Sequence, residues 1–336
     1  MSGEIRRLEE TEYDKWDKLV AESPQGTLFH ESSWLEASGE DFGIYGYFKG
    51  GELYAGIPFI QSKLKLGIKS FHPPSSTPYF GIVFRKNEGK YVTRISDEKD
   101  ISRSIAIKLK EDFDSISFDF SPFVTDMQPF VWEGFSSQVK YTYILQYDDL
   151  DEVWNGMDTK RRNDITKAEK DGVYVEFCDD FDQTIELVKK TFERQGKLVE
   201  FETSVIDYNK MLVQKGRCKS FLAKNKDDKA IGAVYIIWDK KRSYYFLGGY
   251  DPEERHHGAS AMAVWEAIKF TKNELRLNCF DFEGSMLQPV EQYFRKFGGT
   301  LTPYYSVYWM KLWIETLSYA KKSIISGLKF IKSNGK

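Results

Sequence analysis

The sequence predicts a mixed α/β (α+β) protein built from two tandem copies of one unit, each a mostly antiparallel sheet flanked by helices. Three observations carry this. FDFSPFVTDMQPFVWEGF at 118–135 is echoed by FDFEGSMLQPVEQYFRKFGG at 280–299. GYFKGGELYAGIPFI at 46–60 is echoed by FLAKNKDDKAIGAVYII at 221–237, a strand, a charged turn and a glycine-bearing apolar strand. A length of 336 residues is comfortable for two domains and long for one core.

The elements follow in order. Thr11–Ala21 reads as a helix with Trp16, Leu19 and Val20 apolar, and Ser32–Ser38 as a shorter one. GIYGYF and LYAGIPFIQ are strands joined by a hairpin turn at Lys49-Gly50-Gly51-Glu52. HPPSSTPYFG, from His72 to Gly81, is a Pro- and Ser-rich loop. Asp97–Asp112 is a helix with Ile101, Ile105, Ile107 and Leu109 partly in register, and SISFDF and YTYILQY are strands. Asp149–Asp171 reads as one long charged helix, VYVEF as a strand, and Phe181–Arg194 and Thr203–Lys215 as helices. SFLAK, AIGAVYIIW and RSYYFLGGY form a meander, followed by an amphipathic helix at Ser260–Leu275 and the strand CFDFEG. Pro289–Phe297 is a short helix stopped by Gly298-Gly299, YYSVYWM a strand, and Lys311–Lys332 a terminal helix. The copies are set at 1–148 and 149–310, with 311–336 as an amphipathic tail.

Composition narrows the function. With 48 Lys and Arg against 51 Asp and Glu, there is no general nucleic-acid signal, although a local basic patch stays open. The aromatic share of 16% suits strand-rich cores and a wide groove. Cys178, Cys218 and Cys279 form no CxxC, and the four His form no HxxxH or HxH, so no metal site is expected. The charged N-terminus has no apolar leader core, and the longest apolar run, Ala230–Trp238, is too short to span a bilayer as a helix. A cytoplasmic location is expected.

Arg255-His256-His257-Gly258-Ala259-Ser260 joins the strand RSYYFLGGYD to the next helix. This loop resembles the R/Q-x-x-G-x-G/A loop that cradles the coenzyme A pyrophosphate in GNAT acyltransferases, with Ser260 where Gly or Ala is usual. Free N–H groups at a helix start favour phosphate, and Gly258 permits close approach. The alternative is an ordinary loop with Ser260 as helix cap. The tandem units, the segment KRRNDITKAEKDGVYVE and the terminal FRKFGG together resemble the FemABX family and its BioF2-like relatives, from Thr27–Ala37 to Tyr305.

The resemblance implies two GNAT-like domains, with an activated acyl donor in the second and an amine acceptor groove shaped by the first. The donor it implies is acyl-CoA or aminoacyl-tRNA, and the acceptor a small-molecule or lipid-linked amine. FemABX members transfer an amino acid from aminoacyl-tRNA to a peptidoglycan precursor; relatives acylate other amines. A non-catalytic glycan- or lipid-binding module on the same fold is the alternative from another class.

Candidate residues follow. Lys160, Arg161 and Arg162 have no acid among them and lie in the segment that the resemblance places near the donor. Asp158, Asp164, Glu169 and Asp171 on the same helix leave i,i+4 pairing open. Alternation puts Phe280 and Phe282 on one face of a strand, with Asp281 and Glu283 on the other. Either carboxylate suits a general base, and Glu283 is preferred; capping a turn or pairing with Arg295 is the alternative. Where single-domain GNAT enzymes carry a tyrosine that protonates a thiolate, this chain has Phe294, with Tyr293 one residue away. The strand residues Leu247, Gly248 and Gly249 offer backbone N–H groups to an acyl carbonyl, beside Arg255, Gly258, Ala259 and Ser260 for phosphate. Trp34, His72, Ser75, Thr77 and Tyr79 are the acceptor candidates, or else part of a rigid surface turn. The tail 311–336 alternates Leu and Ile with Lys, the profile of a helix that rests on anionic lipid at the membrane's inner face or docks on its own domain.

Overall fold

The computed structural model describes residues 3–64, 67–179, 181–194, 196, 203–254, 256–284, 286–314 and 316. The chain divides into two compact units, one of residues 1–32, 40–138 and 305–336, the other of residues 33–39 and 139–304. In chain order the first copy runs β1 (Glu4–Arg7), α1 (Tyr13–Glu22), α2 (Ser32–Ala37), β2 (Phe42–Lys49), β3 (Glu52–Lys63), β4 (Lys69–His72), β5 (Val83–Phe84), α3 (Tyr91–Asp112), β6 (Ser115–Asp119), α4 (Gln128–Trp132) and β7 (Ser136–Gln146). After α5 (Leu150–Gly156) and α6 (Thr159–Lys170), the second copy runs β8 (Tyr174–Cys178), α7 (Phe181–Glu193), α8 (Thr203–Gln214), β9 (Cys218–Lys224), β10 (Ala230–Trp238), β11 (Ser243–Tyr250), α9 (Ala259–Asn273), β12 (Cys279–Asp281), α10 (Gln288–Arg295) and β13 (Thr300–Met310).

The duplication is visible in the pairing. In the first unit β1, β2, β3 and β4 are antiparallel neighbours, and β4 then pairs parallel with β6 across the helix α3. In the second unit β8, β9, β10 and β11 repeat this order, and β11 pairs parallel with β12 across α9. The closing strands are exchanged between copies. The first unit's β6 takes Ser306–Met310 of β13, and the second unit's β12 takes Ile144–Gln146 of β7. The units therefore do not divide at 148/149 and 310 as the linear reading has it. Val139–Tyr147 and α2 belong to the second unit, and residues 305–310 to the first.

The stretch 149–171 is two helices, not one. Asn155-Gly156 weakens the helix, Met157 is extended with ψ of 149°, and the Asp158 side chain accepts from the Arg161 N–H to start α6. The helix expected from Asp97 starts at Tyr91, and its first two apolar residues, Tyr91 and Val92, are exposed and so mark no buried face.

Each unit has its own core. Phe71, Phe113, Phe118, Phe120 and Phe130 interlock in the first, with ring centroids 5.0–5.9 Å apart. In the second, α6 and α9 cover Val234, Ile236, Phe280 and Phe282, with α10 supplying Phe294. No helix among the described residues is long and apolar enough to cross a membrane. The proposed amphipathic helix lies outside the described residues beyond Ile314, Thr316 excepted.

Candidate functional site

The second unit's sheet opens beside its parallel pair. β11 and β12 pair only at Ser243↔Phe280 and Tyr244↔Asp281. β12 then ends, while β11 runs on against β10 through Tyr235↔Leu247, Val234↔Gly248 and Ala233↔Gly249. A bulge at Phe246 interrupts that ladder. Leu247, Gly248 and Gly249 therefore carry a backbone edge that β12 does not pair. Gly249 has a further reason to lack a side chain: a Cβ there would stand 2.5 Å from the α7 backbone at Leu187.

A strained turn makes the chain leave β12. Glu283 has φ of 57° and Gly284 φ of 73°. Glutamate is strained in that region, and a Cβ on Gly284 would stand 2.3 Å from the Tyr141 carbonyl oxygen. Asp281, fully buried, holds the turn: its Oδ1 accepts from the Thr142 hydroxyl at 2.8 Å and the Glu283 N–H at 2.9 Å. Asp281 is thus occupied as the turn's anchor. Glu283 is half-buried, and its Oε1 is shut off from solvent without a partner. Burial, then the Asp281 charge, raise its carboxyl well above the ordinary carboxylate range.

Aromatic rings of the core pack beneath this edge on the α10 side. Tyr245 lies 5.0 Å from Phe294 and 6.4 Å from Phe282, centroid to centroid. Tyr293 packs on Phe297 at 5.5 Å, and its hydroxyl is buried without a partner. Burial pushes that phenol up to about 12, against the opposing effect of Arg161.

The basic triplet separates. Lys160 is exposed and Arg162 half-buried, while Arg161 is only 6% exposed. The Arg161 guanidinium carbon lies 4.4 Å from the Tyr293 ring centre and 4.7 Å from that of Phe297, and its Nη2 donates to the Tyr293 carbonyl at 3.3 Å. No carboxylate among the described residues pairs with Arg161 or Arg162, and the Nε of each is buried without a partner. The i,i+4 alternative is realised lower on the helix, where Lys167 meets Asp171 at 2.7 Å.

The loop before α9 is arranged for packing. Gly258 is the N-cap residue, so Ser260 lies inside the helix and is not the cap. A Cβ on Gly258 would stand 2.0 Å from the Asp164 carbonyl oxygen, which places α6 directly on the start of α9. The Gly258 N–H donates to His256 Nδ1 and the Ala259 N–H to the His256 carbonyl. Acidic side chains of α6 complete the cover: Asp171 lies 3.1 Å from His256 and Asp164 3.5 Å from His257. Lys167 first, then His256, hold the Asp171 carboxyl down to about 2. A pyrophosphate at this helix start would meet the Asp164 and Asp171 carboxylates and find the Gly258 and Ala259 N–H groups already in use. Arg255 lies outside the described residues.

Two acceptor candidates are interior. Trp34 is fully buried in the second unit, stacked on Tyr208 at 3.9 Å and edge-on to Phe246 at 5.9 Å. Tyr79 is fully buried in the first unit against Phe29. Both serve packing, so neither faces an open groove. His72, Ser75 and Thr77 are half-buried; His72 bridges the Pro73 carbonyl and the Ser62 hydroxyl, and Thr77 donates to the Ser75 carbonyl. Among the described residues no group of His, Cys, Asp and Glu is arranged to hold a metal ion. Tyr245 and Thr142 stand in no sequence motif that marks a site. The one signal for Tyr245 was its Tyr-x-x-Gly spacing to Gly248.

Residues 159–295 match the model of the GNAT acetyltransferase domain. The unit that holds this opening is therefore a GNAT domain, and the chain is an acyltransferase by class. FemX matches in structure at a TM-score of 0.69 and 16% identity, over 90% of this chain and 96% of that one. A tandem GNAT protein from the clavulanic acid biosynthesis pathway matches at 0.55 and 10% identity, over 91% and 98%. L-PGS from Bacillus licheniformis matches at 0.53 and 11% identity, over 93% and 96%. At these identities the likeness is one of fold: a GNAT/FemABX-like tandem architecture across nearly the whole chain. No curated protein matches the sequence.

Proposed function

We propose that the second unit moves an acyl group from an ester-linked donor of the aminoacyl-tRNA type to an amine. The observation that carries this reading is the exchange of roles between two helix starts. The start of α9, where coenzyme A would set its pyrophosphate, is covered by α6 and faces Asp164 and Asp171. At the start of α6, Arg161 is buried beside the opening with no counter-ion among the described residues. A buried cation with no anion is costly, and a substrate phosphate or carboxylate would relieve it. The FemX-like fold, with the aminoacyl transfer that the FemABX resemblance implies, supports the same donor class.

The chemistry then follows from the edge. N–H groups of Leu247–Gly249 polarise the acyl carbonyl, and a neutral amine attacks it. Glu283, once ionised, is a stronger base than an ordinary carboxylate and takes the surplus amine proton. The acceptor is a small-molecule or lipid-linked amine. The GNAT model match favours acetyl-CoA as the second reading. Mass spectrometry of amine acceptors incubated with aminoacyl-tRNA and, separately, with acetyl-CoA distinguishes the two. Transfer from charged tRNA alone supports the proposal, and transfer from acetyl-CoA alone overturns it.

A further inference from the structure

We propose that Tyr245 is the general acid of this acyl transfer, delivering a proton to the leaving oxygen of the donor. This rests on the acyl-transfer reading above. The hydroxyl is placed by the strand. The bulge at Phe246 brings Tyr245 and Gly248 together, and a Cβ on Gly248 would lie 1.6 Å from the Tyr245 hydroxyl oxygen. Glycine at 248 is what leaves room for the phenol oxygen over its Cα, on the strand whose edge β12 leaves unpaired. No described residue hydrogen-bonds to this hydroxyl. The ring is fixed between Phe294 and Phe282, so the hydroxyl is held rather than swinging.

The chemistry needs such a group. The amine forms the new C–N bond, and the tetrahedral oxyanion collapses as the ester C–O bond breaks. The bonding pair leaves on an alkoxide, which is a poor leaving group unless protonated as it departs. Tyr245 gives that proton, Glu283 or water takes the one released by the amine, and Tyr245 regains its own from solvent. Burial, then the neighbouring Tyr293, raises the Tyr245 phenol above its ordinary value, so it keeps its proton until the far more basic alkoxide departs.

The test uses the full chain, one amine and a series of esters of one amino acid, from p-nitrophenyl to a simple alkyl alcohol. Tyr245→Phe keeps the ring packing and removes a hydroxyl with no partner among the described residues, so its Tm should equal that of the wild type. The variant should lose roughly 100-fold or more in kcat on the alkyl ester and only a few-fold on the p-nitrophenyl ester, whose leaving group needs no proton. An undiminished rate on the alkyl ester, or an equal loss across the series, overturns the assignment of Tyr245 alone. Wild-type protein inert towards every ester contradicts the acyl-transfer reading itself and removes this proposal with it.

Discussion

Gly258→Ala separates packing from phosphate binding at the start of α9. The glycine has φ of −96°, which alanine adopts freely, so the backbone itself is not strained. The added Cβ would stand 2.0 Å from the Asp164 carbonyl oxygen and 3.0 Å from the Ala168 Cβ. The first neighbour is helix backbone and cannot rotate away, so α6 and α9 must move apart by more than an ångström. Overpacking of this kind costs about 1–3 kcal/mol. For a domain of this size that is a fall in Tm of roughly 2–12 °C. Differential scanning calorimetry reads it directly, with Ser260→Ala as a control, since Ser260 meets no such backbone. The reasoning is refuted if Gly258→Ala melts with the wild type yet loses donor binding, because the glycine would then serve a ligand and not the α6–α9 contact.

The other predictions concern the turn and the interior. Glu283 has a folded-state value above its unfolded one, so the native state holds its proton longer and stability falls as pH rises from about 4.5 through the folded value. Glu283→Gln abolishes that fall: its Tm advantage over the wild type should grow with pH above about 4.5, and a constant difference in melts at several pH values would contradict the raised carboxyl. Asp281→Ala orphans the Glu283 N–H and leaves the Thr142 hydroxyl only the Tyr143 carbonyl at 3.4 Å, a loss of about 1–3 kcal/mol or more, measured by urea denaturation; a loss under 1 kcal/mol would show that the turn holds without it. Trp34→Ala should cost about 3–5 kcal/mol by removing the ring stacked on Tyr208, while KM for the acceptor stays unchanged at temperatures where the variant is folded. A raised KM with full stability would return Trp34 to the acceptor site.

Much of the architecture was legible because local signals repeat. The paired FDF strands, the glycine-bearing strands and the short helices before Gly134 and Gly298 each stand in both copies, and the observed ladders follow them. The exchange of β7 and β13 was not legible, since a strand's own residues do not name its partner. Arg161 was found as one of a basic run, but its burial depends on Tyr293 and Phe297, more than 130 positions away in sequence. The α9 loop misled for a similar reason. Its glycine fits a phosphate cradle in sequence, and only the approach of Asp164 shows what stands in that space. Trp34 and Tyr79 looked like groove aromatics because they border polar loops, and only packing shows that they are interior.

Filter binding of labelled aminoacyl-tRNA and of labelled acetyl-CoA, to the wild type and to Arg161→Gln, tests most directly where the donor's charge is read. Retention of aminoacyl-tRNA by the wild type, its loss in Arg161→Gln, and no retention of acetyl-CoA by either are the expected results. Saturable acetyl-CoA binding that survives Arg161→Gln would contradict the donor assignment and return the phosphate to the start of α9.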